Sequence, residues 1–289
     1  MTIYDHSNPP DLTATIFHIK STQTGELRAT HGRHTHACFF SMLQEISPQL
    51  VDKIHHSDRG KPFTVSGIYP VASERDHFQK KNNKSILIRA GDCFKLRITT
   101  MTRELSEAVI QMRNNIQMIK LDSLPFEIVH SDMYKDDRAS STTYEELLHW
   151  IDKRPPSTFG LNFISGTCFH SFNKNVVFPT PDFIFPRLLS RWNNFAPEQC
   201  RIPDEEQFSQ AIDFFVMVSG YSLNTLSLNF GPKGQQISFV GSCEYQTMHK
   251  TPEIISQIMN VLMRFSFFSG VGYGTPRGMG QTDFFVKDI

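Results

Sequence analysis

The order of strands and helices predicted along the chain repeats once, and this repeat is the strongest constraint on the fold. In the first half, β-rich runs alternate with segments of helical periodicity in the order βαββαβ. The predicted strands are residues 12–19, 63–69, 94–101 and 116–129, and the predicted helices are residues 39–46, 48–55 and 105–112. A charged stretch, residues 73–84, is predicted to loop out between the second and third strands.

The second half gives the same order again. Its strands are predicted at residues 158–164, 214–228, 237–249 and 284–286, and its helices at 181–195 (possible extension 205–212) and 251–265. A hairpin is expected at 168–178 and a bridging helix at 144–152. Two βαββαβ units in one chain of 289 residues predict an α+β fold of two tandem ferredoxin-like (RRM-like) domains. We place the domains at residues 1–140 and 141–289.

Composition limits the functions open to such a fold. The 29 basic and 29 acidic side chains cancel, so a nucleic-acid partner has to be bound by local patches and not by a bulk field. The five cysteines are scattered without C-x-x-C spacing, which indicates a reduced cytoplasmic protein without disulfides or a zinc site. The sequence shows no signal peptide or membrane span, so we expect no membrane partner.

Five of the chain's 16 glycines fall within residues 270–280, GVGYGTPRGMG. Glycine at this density lets backbone N–H groups point outward together and hold an anion. The alternative is a mobile turn before the last strand. The loop follows a predicted helix and precedes a strand, the reverse of a dinucleotide fingerprint, and it lacks the Gly-Lys-Ser/Thr of a P-loop. No apolar run long enough for a potassium channel flanks it.

Four blocks of sequence resemble one family. They are residues 36–40 (HACFF) with the helix that continues to 55, residues 60–66 (GKPFTVS), residues 163–169 (FISGTCF) leading to 191–193 (RWN), and the glycine loop. Together with the repeated fold, they resemble the RAMP superfamily of CRISPR RNA-binding proteins. Within it they resemble the repeat-processing endoribonucleases of the sixth-numbered Cas family. Gly166 departs from the family, which usually has proline there.

The resemblance implies a metal-independent endoribonuclease that cleaves CRISPR repeat RNA (pre-crRNA) into guide units. The 2′-hydroxyl would attack the adjacent phosphate and leave a 2′,3′-cyclic phosphate and a 5′-hydroxyl, with no cofactor or metal. The implied partner is repeat RNA, single-stranded or a short hairpin, and membership of a CRISPR effector complex stays open, as does the oligomeric state. The alternative is a catalytically inactive RAMP subunit that binds repeat or guide RNA. A module for a small phosphorylated ligand would explain only the glycines.

Three side chains are predicted to carry the chemistry. His55 ends the helix that begins at Ser47-Pro48, and a helix C-terminus stabilises imidazolium, which suits a general acid. Some family members have a tyrosine base at the position of Phe40, which cannot ionise, so we infer that His36, one helical turn earlier, takes the base role. Lys61, in the second block, would neutralise the pentavalent phosphate. The competing interpretation is that His55 is only a favourable charge at a helix end and Lys61 an ordinary lysine in a surface turn. For His36, it is that the ring merely edges the apolar stripe of Phe39, Phe40 and Leu43.

Other histidines are assigned lesser roles. His31 and His34 are expected to be substrate contacts or surface residues, and His56 is a weaker alternative to His55.

RNA binding is assigned to two groups of residues. The first is the glycine loop, represented by Gly270, Gly272, Gly274, Arg277, Gly278 and Gly280. The second is a local basic track for a hairpin stem, formed by Lys174, Arg187, Arg191, Lys233 and Lys250, whereas Trp192 is expected in the core. We predict that the loop holds RNA on the second domain, apart from the histidines. A bulky residue at Gly278 or Gly280 should then weaken binding more than the chemical step.

Overall fold

The computed structural model describes residues 9–71, 85–151, 153–156, 158–230 and 234–287. The predicted loop at residues 73–84 and Lys233 lie outside these ranges. Among the described residues, no helix is both long enough and apolar enough to cross a membrane.

The first half of the chain forms an antiparallel sheet covered on one face by helices. Its elements are β1 (Leu12–Ser21), β2 (Gly25–Arg28), α1 (Gly32–Ile46), α2 (Pro48–His55), β3 (Phe63–Val65), β4 (Tyr69–Pro70), β5 (Ser85–Ile88), β6 (Cys93–Thr100), α3 (Arg103–Asn115), β7 (Met118–Leu121), β8 (Leu124–Asp132) and β9 (Ser140–Thr142). The strand order is β3-β6-β1-β8-β7, with β4 also on β6 and β9 also on β1, while β2 pairs with β5 separately. Without β7, this is the order of a ferredoxin-like sheet, as predicted.

Several element boundaries in this half differ from the prediction. The single strand expected at 116–129 is the hairpin β7–β8, because Asp122 turns the chain with a φ of 59°. The strand expected at 63–69 is divided into β3 and β4, and the strands β2 and β5 were not predicted. Helix α1 begins at Gly32, earlier than the predicted start at residue 39. Strand β9 crosses the predicted domain boundary at residue 140 and pairs with β1.

The second half repeats the architecture. Its elements are α4 (Tyr144–Leu148), β10 (Thr158–Thr167), β11 (Phe169–Ser171), β12 (Lys174–Val176), α5 (Pro181–Phe195), α6 (Glu205–Phe215), β13 (Val216–Asn229), β14 (Gln235–Thr247), α7 (Glu253–Ser269) and β15 (Thr282–Lys287). The sheet order β13-β14-β10-β15 is again ferredoxin-like. Helix α6 is separate from α5, with a 3₁₀ turn at Glu198–Cys200 between them.

Helix α5 shows how the local sequence sets an element. Pro181 occupies the first turn, where a missing N–H costs nothing, and apolar residues recur at helical spacing along the buried face. Trp192 is fully buried on that face and donates its indole N–H to the Cys200 carbonyl at 2.8 Å, so it belongs to the core, as predicted.

The two domains are joined by a buried polar seam, formed by Thr64, Arg97, Thr99, Gln281 and the carbonyls at the end of α7. The Arg97 guanidinium donates to Gln281 Oε1 and to the Phe267 carbonyl, both at 2.8 Å. Gln281 Nε2 in turn donates to Thr64 Oγ1 at 2.9 Å. Burial lowers the pKa of Arg97 to about 9. These bonds connect β3 and β6 of the first sheet to the segment that precedes β15, and so fix the glycine loop against the first domain.

Candidate active site

Two imidazoles flank one phenyl ring where α1 and α2 meet. The His36 ring lies edge-on to Phe40 with centroids 4.9 Å apart, and the His55 ring stacks on Phe40 at 4.6 Å. His36 and Phe40 are four residues apart on α1, which places them on one face of the helix. His55 belongs to the last turn of α2 and is exposed. The fold therefore brings together the two histidines predicted from the sequence.

His36 is oriented by the glycine loop. Its Nδ1 lies 2.9 Å from the Pro276 carbonyl oxygen, an acceptor only, so Nδ1 carries the proton and the neutral ring keeps a lone pair on Nε2. Burial lowers the pKa of His36; the bond to Pro276 opposes this, and the charges of Arg277, Lys61 and His55 lower the pKa further. The ring is therefore held in the neutral, proton-accepting form.

Two cations complete this cluster. Lys61 Nζ donates to the Ile54 carbonyl at 2.6 Å, at the C-terminal end of α2 beside His55. The ammonium has three N–H donors, so others remain for a ligand. Arg277 lies in the glycine loop with its guanidinium 5.1 Å from the Tyr273 ring centroid. The charges of both cations act on His36, and this arrangement attracts an anion.

The remaining histidines of the region have other surroundings. His31 is buried, with Nδ1 3.0 Å from the Arg28 carbonyl and Nε2 accepting from the Ile68 N–H at 2.8 Å. Burial lowers its pKa. Both ring nitrogens are used internally, so the expectation of a substrate contact or surface residue is wrong for His31. His34 is partly buried, with Nδ1 3.8 Å from Asp122 Oδ1.

His56 lies next to His55 but makes a different contact. Its Nδ1 is 2.8 Å from the Asp52 carbonyl of its own helix, and the ring is exposed.

The glycine loop has a different physical basis from the one predicted. All five of its glycines have positive φ, from 63° to 84°, which other residues adopt only with strain. Their N–H groups are largely consumed: Gly270 donates to Ser266, Gly278 to Val65 and Gly280 to Gly166. The prediction that these amides point outward to hold a phosphate is wrong for these three. The loop is a tightly bonded turn, and the groups that it offers to a ligand are side chains such as Arg277.

The loop also lies beside the histidines and not apart from them. The Gly278 N–H donates to the Val65 carbonyl at 2.8 Å, and Ser66 and Gly278 form a parallel bridge. A Cβ added to Gly32, at the start of α1, would lie 1.9 Å from the Arg277 carbonyl oxygen. The prediction that the loop lies on the second domain, apart from the histidines, is therefore wrong, because the loop packs directly against α1 and β3.

The basic track predicted for a stem is not continuous. Arg191 donates to Thr275 Oγ1 at 3.1 Å and to the Lys61 carbonyl at 3.2 Å, and burial lowers its pKa to about 10. It therefore positions Lys61 and the loop from inside the protein. Lys250 follows the C-terminal end of β14, whereas the glycine loop and the cations described above lie elsewhere in the chain. At about 3.3 Å per residue, that end of β14 is roughly 40 Å from Gln235 at the other end. Arg187 donates to the His170 carbonyl at 3.3 Å, and Lys174 is exposed on β12.

The structure also adds residues that the sequence did not indicate. His170 and Tyr273 stack with ring centroids 3.9 Å apart, and both are exposed next to Arg277. Tyr273 could have been noticed as the aromatic residue between two glycines of the loop. Nothing local marks His170, because its importance depends on a partner about a hundred residues away.

The described residues supply proton transfer and positive charge. One neutral imidazole with a free Nε2, one exposed imidazole at a helix C-terminus and two cations can deprotonate a hydroxyl, protonate a leaving group and stabilise an anionic intermediate. Among the residues described, no three His, Cys, Asp or Glu side chains converge as a metal-binding group.

Two family models together match most of the chain. The family model for the CRISPR Cas6 N-terminal domain matches residues 14–134, and the model for CRISPR-associated endoribonuclease Cas6 matches residues 161–282. No curated protein matches the sequence.

Solved structures share the fold. A Cas6 product complex has a TM-score of 0.78 at 20% identity, over 96% of this chain and 100% of that one. Cas6 of Thermus thermophilus gives 0.70 at 20% identity, covering 96% and 99%. A second Cas6 product complex gives 0.71 at 21% identity, covering 95% and 99%.

Proposed function

The chain belongs to the Cas6 family of CRISPR-associated endoribonucleases, and we propose that it cleaves CRISPR repeat RNA into guide units by metal-independent transesterification. The family assignment supports RNA cleavage. The chemistry rests on the arrangement around His36.

The proposed step moves two protons and exchanges one P–O bond for another. His36 Nε2 takes the proton of the 2′-hydroxyl, and the 2′-oxygen attacks the adjacent phosphorus. The bond from phosphorus to the 5′-oxygen breaks, and the leaving oxygen takes a proton from His55. The products are a 2′,3′-cyclic phosphate and a 5′-hydroxyl, with the proton lost by the RNA now on His36.

One observation supports this proposal above the others. The His36 ring is bonded through Nδ1 to the Pro276 carbonyl, and positive groups from three segments act on it. A base works near neutral pH only when it is unprotonated, and the lowered pKa of His36 meets this condition. The same positive charge that lowers the pKa attracts a phosphate to the ring.

Lys61 and Arg277 are proposed to stabilise the pentavalent phosphate. Their attraction to the phosphate becomes stronger as negative charge builds on the phosphoryl oxygens in the transition state. An interaction that is stronger in the transition state than in the bound substrate accelerates the reaction, whereas an equal one only improves binding. Arg191 acts through Lys61, because its guanidinium holds the Lys61 carbonyl.

The second candidate is a RAMP subunit that binds repeat RNA without cutting it. The observation in its favour is Phe40, which occupies the centre of the site and has no ionisable group. A non-cutting subunit would share the fold and the cations with the endoribonuclease, so only a measurement of RNA cleavage separates the two candidates.

The test is cleavage of repeat RNA by the purified full chain in EDTA. We expect the unmodified chain to cut the RNA and leave cyclic phosphate ends, and we expect no cutting when the nucleotide at the cut site is 2′-deoxy. His36→Ala and His55→Ala should each lower the cleavage rate by about 100-fold or more. RNA affinity should change little. His56→Ala is the matched control, because its ring bonds to the Asp52 carbonyl, and it should cut normally. Binding without cutting by the unmodified chain would support the second candidate, and cleavage of the 2′-deoxy RNA would exclude the mechanism.

A further inference from the structure

A polar cavity of about 230 Å³ opens beside the glycine loop, and Arg277 is one of its lining residues. Its walls come from α1, the β11–β12 hairpin, the start of β14 and the loop. The lining side chains that matter here are Arg33, His170, Asn175, Gln236, Tyr273 and Arg277. None of the described residues that line it is acidic.

The first feature of the cavity is an aromatic platform. The His170 and Tyr273 rings are nearly parallel, 18° apart, with centroids separated by 3.9 Å. Exposed flat rings at the edge of a positively charged site are the usual supports for an unpaired nucleobase, because every base can stack on them. Both rings sit on well-bonded backbone: the Tyr273 N–H donates to the Cys168 carbonyl at 2.8 Å, and His170 is paired with Asn175 across the hairpin.

The second feature is a pair of side-chain amides. Asn175 and Gln236 each offer both a donor and an acceptor, the combination that matches the edge of a purine. Gln236 Nε2 is 2.8 Å from Cys168 Sγ, which orients its amide. Neighbouring aromatic and amide groups recognise a base, whereas a phosphate alone would need only cations.

The third feature is positive charge that continues into the catalytic cluster. Arg33 lies over the Phe230 ring at 5.6 Å, and Arg277 over Tyr273 at 5.1 Å. Arg277 directly follows Pro276, whose carbonyl orients His36. A nucleotide in the cavity would therefore be a close neighbour of the phosphate being cut.

We propose that this cavity binds one unpaired purine of the substrate RNA, within one or two nucleotides of the cut, and so sets the register of cleavage. This inference rests on the proposed function for the identity of the RNA. The base stacks on the His170–Tyr273 pair, its edge bonds to the Asn175 and Gln236 amides, and its phosphate contacts Arg33 or Arg277.

The test scans the RNA with single abasic sites and measures affinity and single-turnover cleavage. An abasic site at one unpaired purine position should lower the RNA affinity of the unmodified chain about tenfold to a hundredfold. The same abasic site should lower the RNA affinity of Tyr273→Ala by less than about threefold. Tyr273→Phe keeps the ring and should restore the sensitivity. Exchange of that purine for a pyrimidine should reduce affinity in the unmodified chain but not in Gln236→Ala.

The matched control is Tyr134→Ala, which removes an exposed tyrosine from the first domain and should leave the abasic profile unchanged. Equal losses in Tyr273→Ala and the unmodified chain would overturn the pocket while the endoribonuclease stands. A chain that binds RNA with the expected abasic profile but does not cut would remove the proposed function and keep the pocket. Circular dichroism of each variant separates loss of folding from loss of stacking.

Discussion

Three histidines lie on or next to the first turns of α1, and their surroundings give them different capacities. Both nitrogens of His31 are bonded to backbone groups, whereas His36 uses only Nδ1. His34 faces the carboxylate of Asp122. A proton acceptor needs a free lone pair within reach of the substrate. Of these three rings, His36 combines a free lone pair on Nε2 with the nearby charges of Lys61 and Arg277.

The charge of Lys61 should set the pH dependence of cleavage. It is one of the charges that lower the pKa of His36, so Lys61→Met should raise this pKa toward its ordinary value. A base is active above its pKa, so the acidic limb of the pH–rate profile should move to higher pH. The plateau should also fall by about 100-fold, because one group on the phosphorane is lost. Single-turnover rates at saturating RNA, from pH 5 to 8, measure both effects.

Lys61→Arg is the control for this prediction, since it keeps the charge and changes the geometry. Its acidic limb should stay where it is in the unmodified chain, even if the plateau falls. An unshifted limb in Lys61→Met would show that His36 is not the titrating base.

At the scale of elements, the glycine loop is held by close backbone contacts. A Cβ on Gly280 would lie 2.1 Å from the Val271 carbonyl oxygen, and one on Gly272 would lie 2.6 Å from that of Cys168. The loop therefore packs against itself and against the end of β10, with no room for a side chain at these two glycines. Its rigid shape fixes the Pro276 carbonyl against His36, which makes the loop part of the proposed active site.

Gly32→Ala tests this contact from the α1 side. The new Cβ would lie 1.9 Å from the Arg277 carbonyl oxygen, so the loop or the helix must shift. We expect the free energy of unfolding to fall by about 1–3 kcal/mol and cleavage to fall with it, because His36 loses its orienting acceptor. Urea denaturation and single-turnover cleavage measure the two effects.

Gly220→Ala is the matched control in β13. There the nearest atom to a new Cβ is Glu244 Oε2 at 3.4 Å, an ordinary contact. Its stability and activity should be nearly unchanged. Normal cleavage by Gly32→Ala would mean that the loop does not orient His36.

At the scale of the whole molecule, the proposed active site is assembled across the interface between the two halves of the chain. α1, α2 and Lys61 come from the first domain, and Pro276 and Arg277 from the second. The polar seam keeps these parts in register: Thr99 Oγ1 donates to the Phe268 carbonyl at the end of α7, next to the bonds made by Arg97.

Removal of the Arg97 side chain should weaken both folding and catalysis. Arg97→Met would leave the Phe267 carbonyl and the Gln281 amide oxygen buried without this donor, so we expect the free energy of unfolding to fall by about 3 kcal/mol. Cleavage should fall further than in variants that destabilise one domain alone, because the loop would no longer be fixed on α1.

Urea denaturation of Arg97→Met is compared with that of Arg154→Met, an exposed arginine that should cost at most about 0.5 kcal/mol. Equal stability of the two variants would show that the seam does not hold the domains together.

The sequence by itself determined the repeated element order and the local geometry of the site. Hydrophobic periodicity depends on neighbours three or four residues apart, so α5, the part of α1 from residue 39 onward and the shared face of His36 and Phe40 could be read directly. The hairpin β7–β8 was missed, because its turn depends on Asp122 adopting positive φ, for which a single non-glycine residue gives little signal.

Only the tertiary structure decided what the histidines and glycines contact. The bond from His36 to Pro276 spans 240 residues, and no local pattern encodes such a distance. The burial of His31, the internal role of Arg191 and the stacked pair of His170 and Tyr273 likewise arise from packing between distant segments. Residue type fixes what a side chain can do, but its protonation and its partners are set by burial and by neighbouring charge, which exist only once the two domains have packed together.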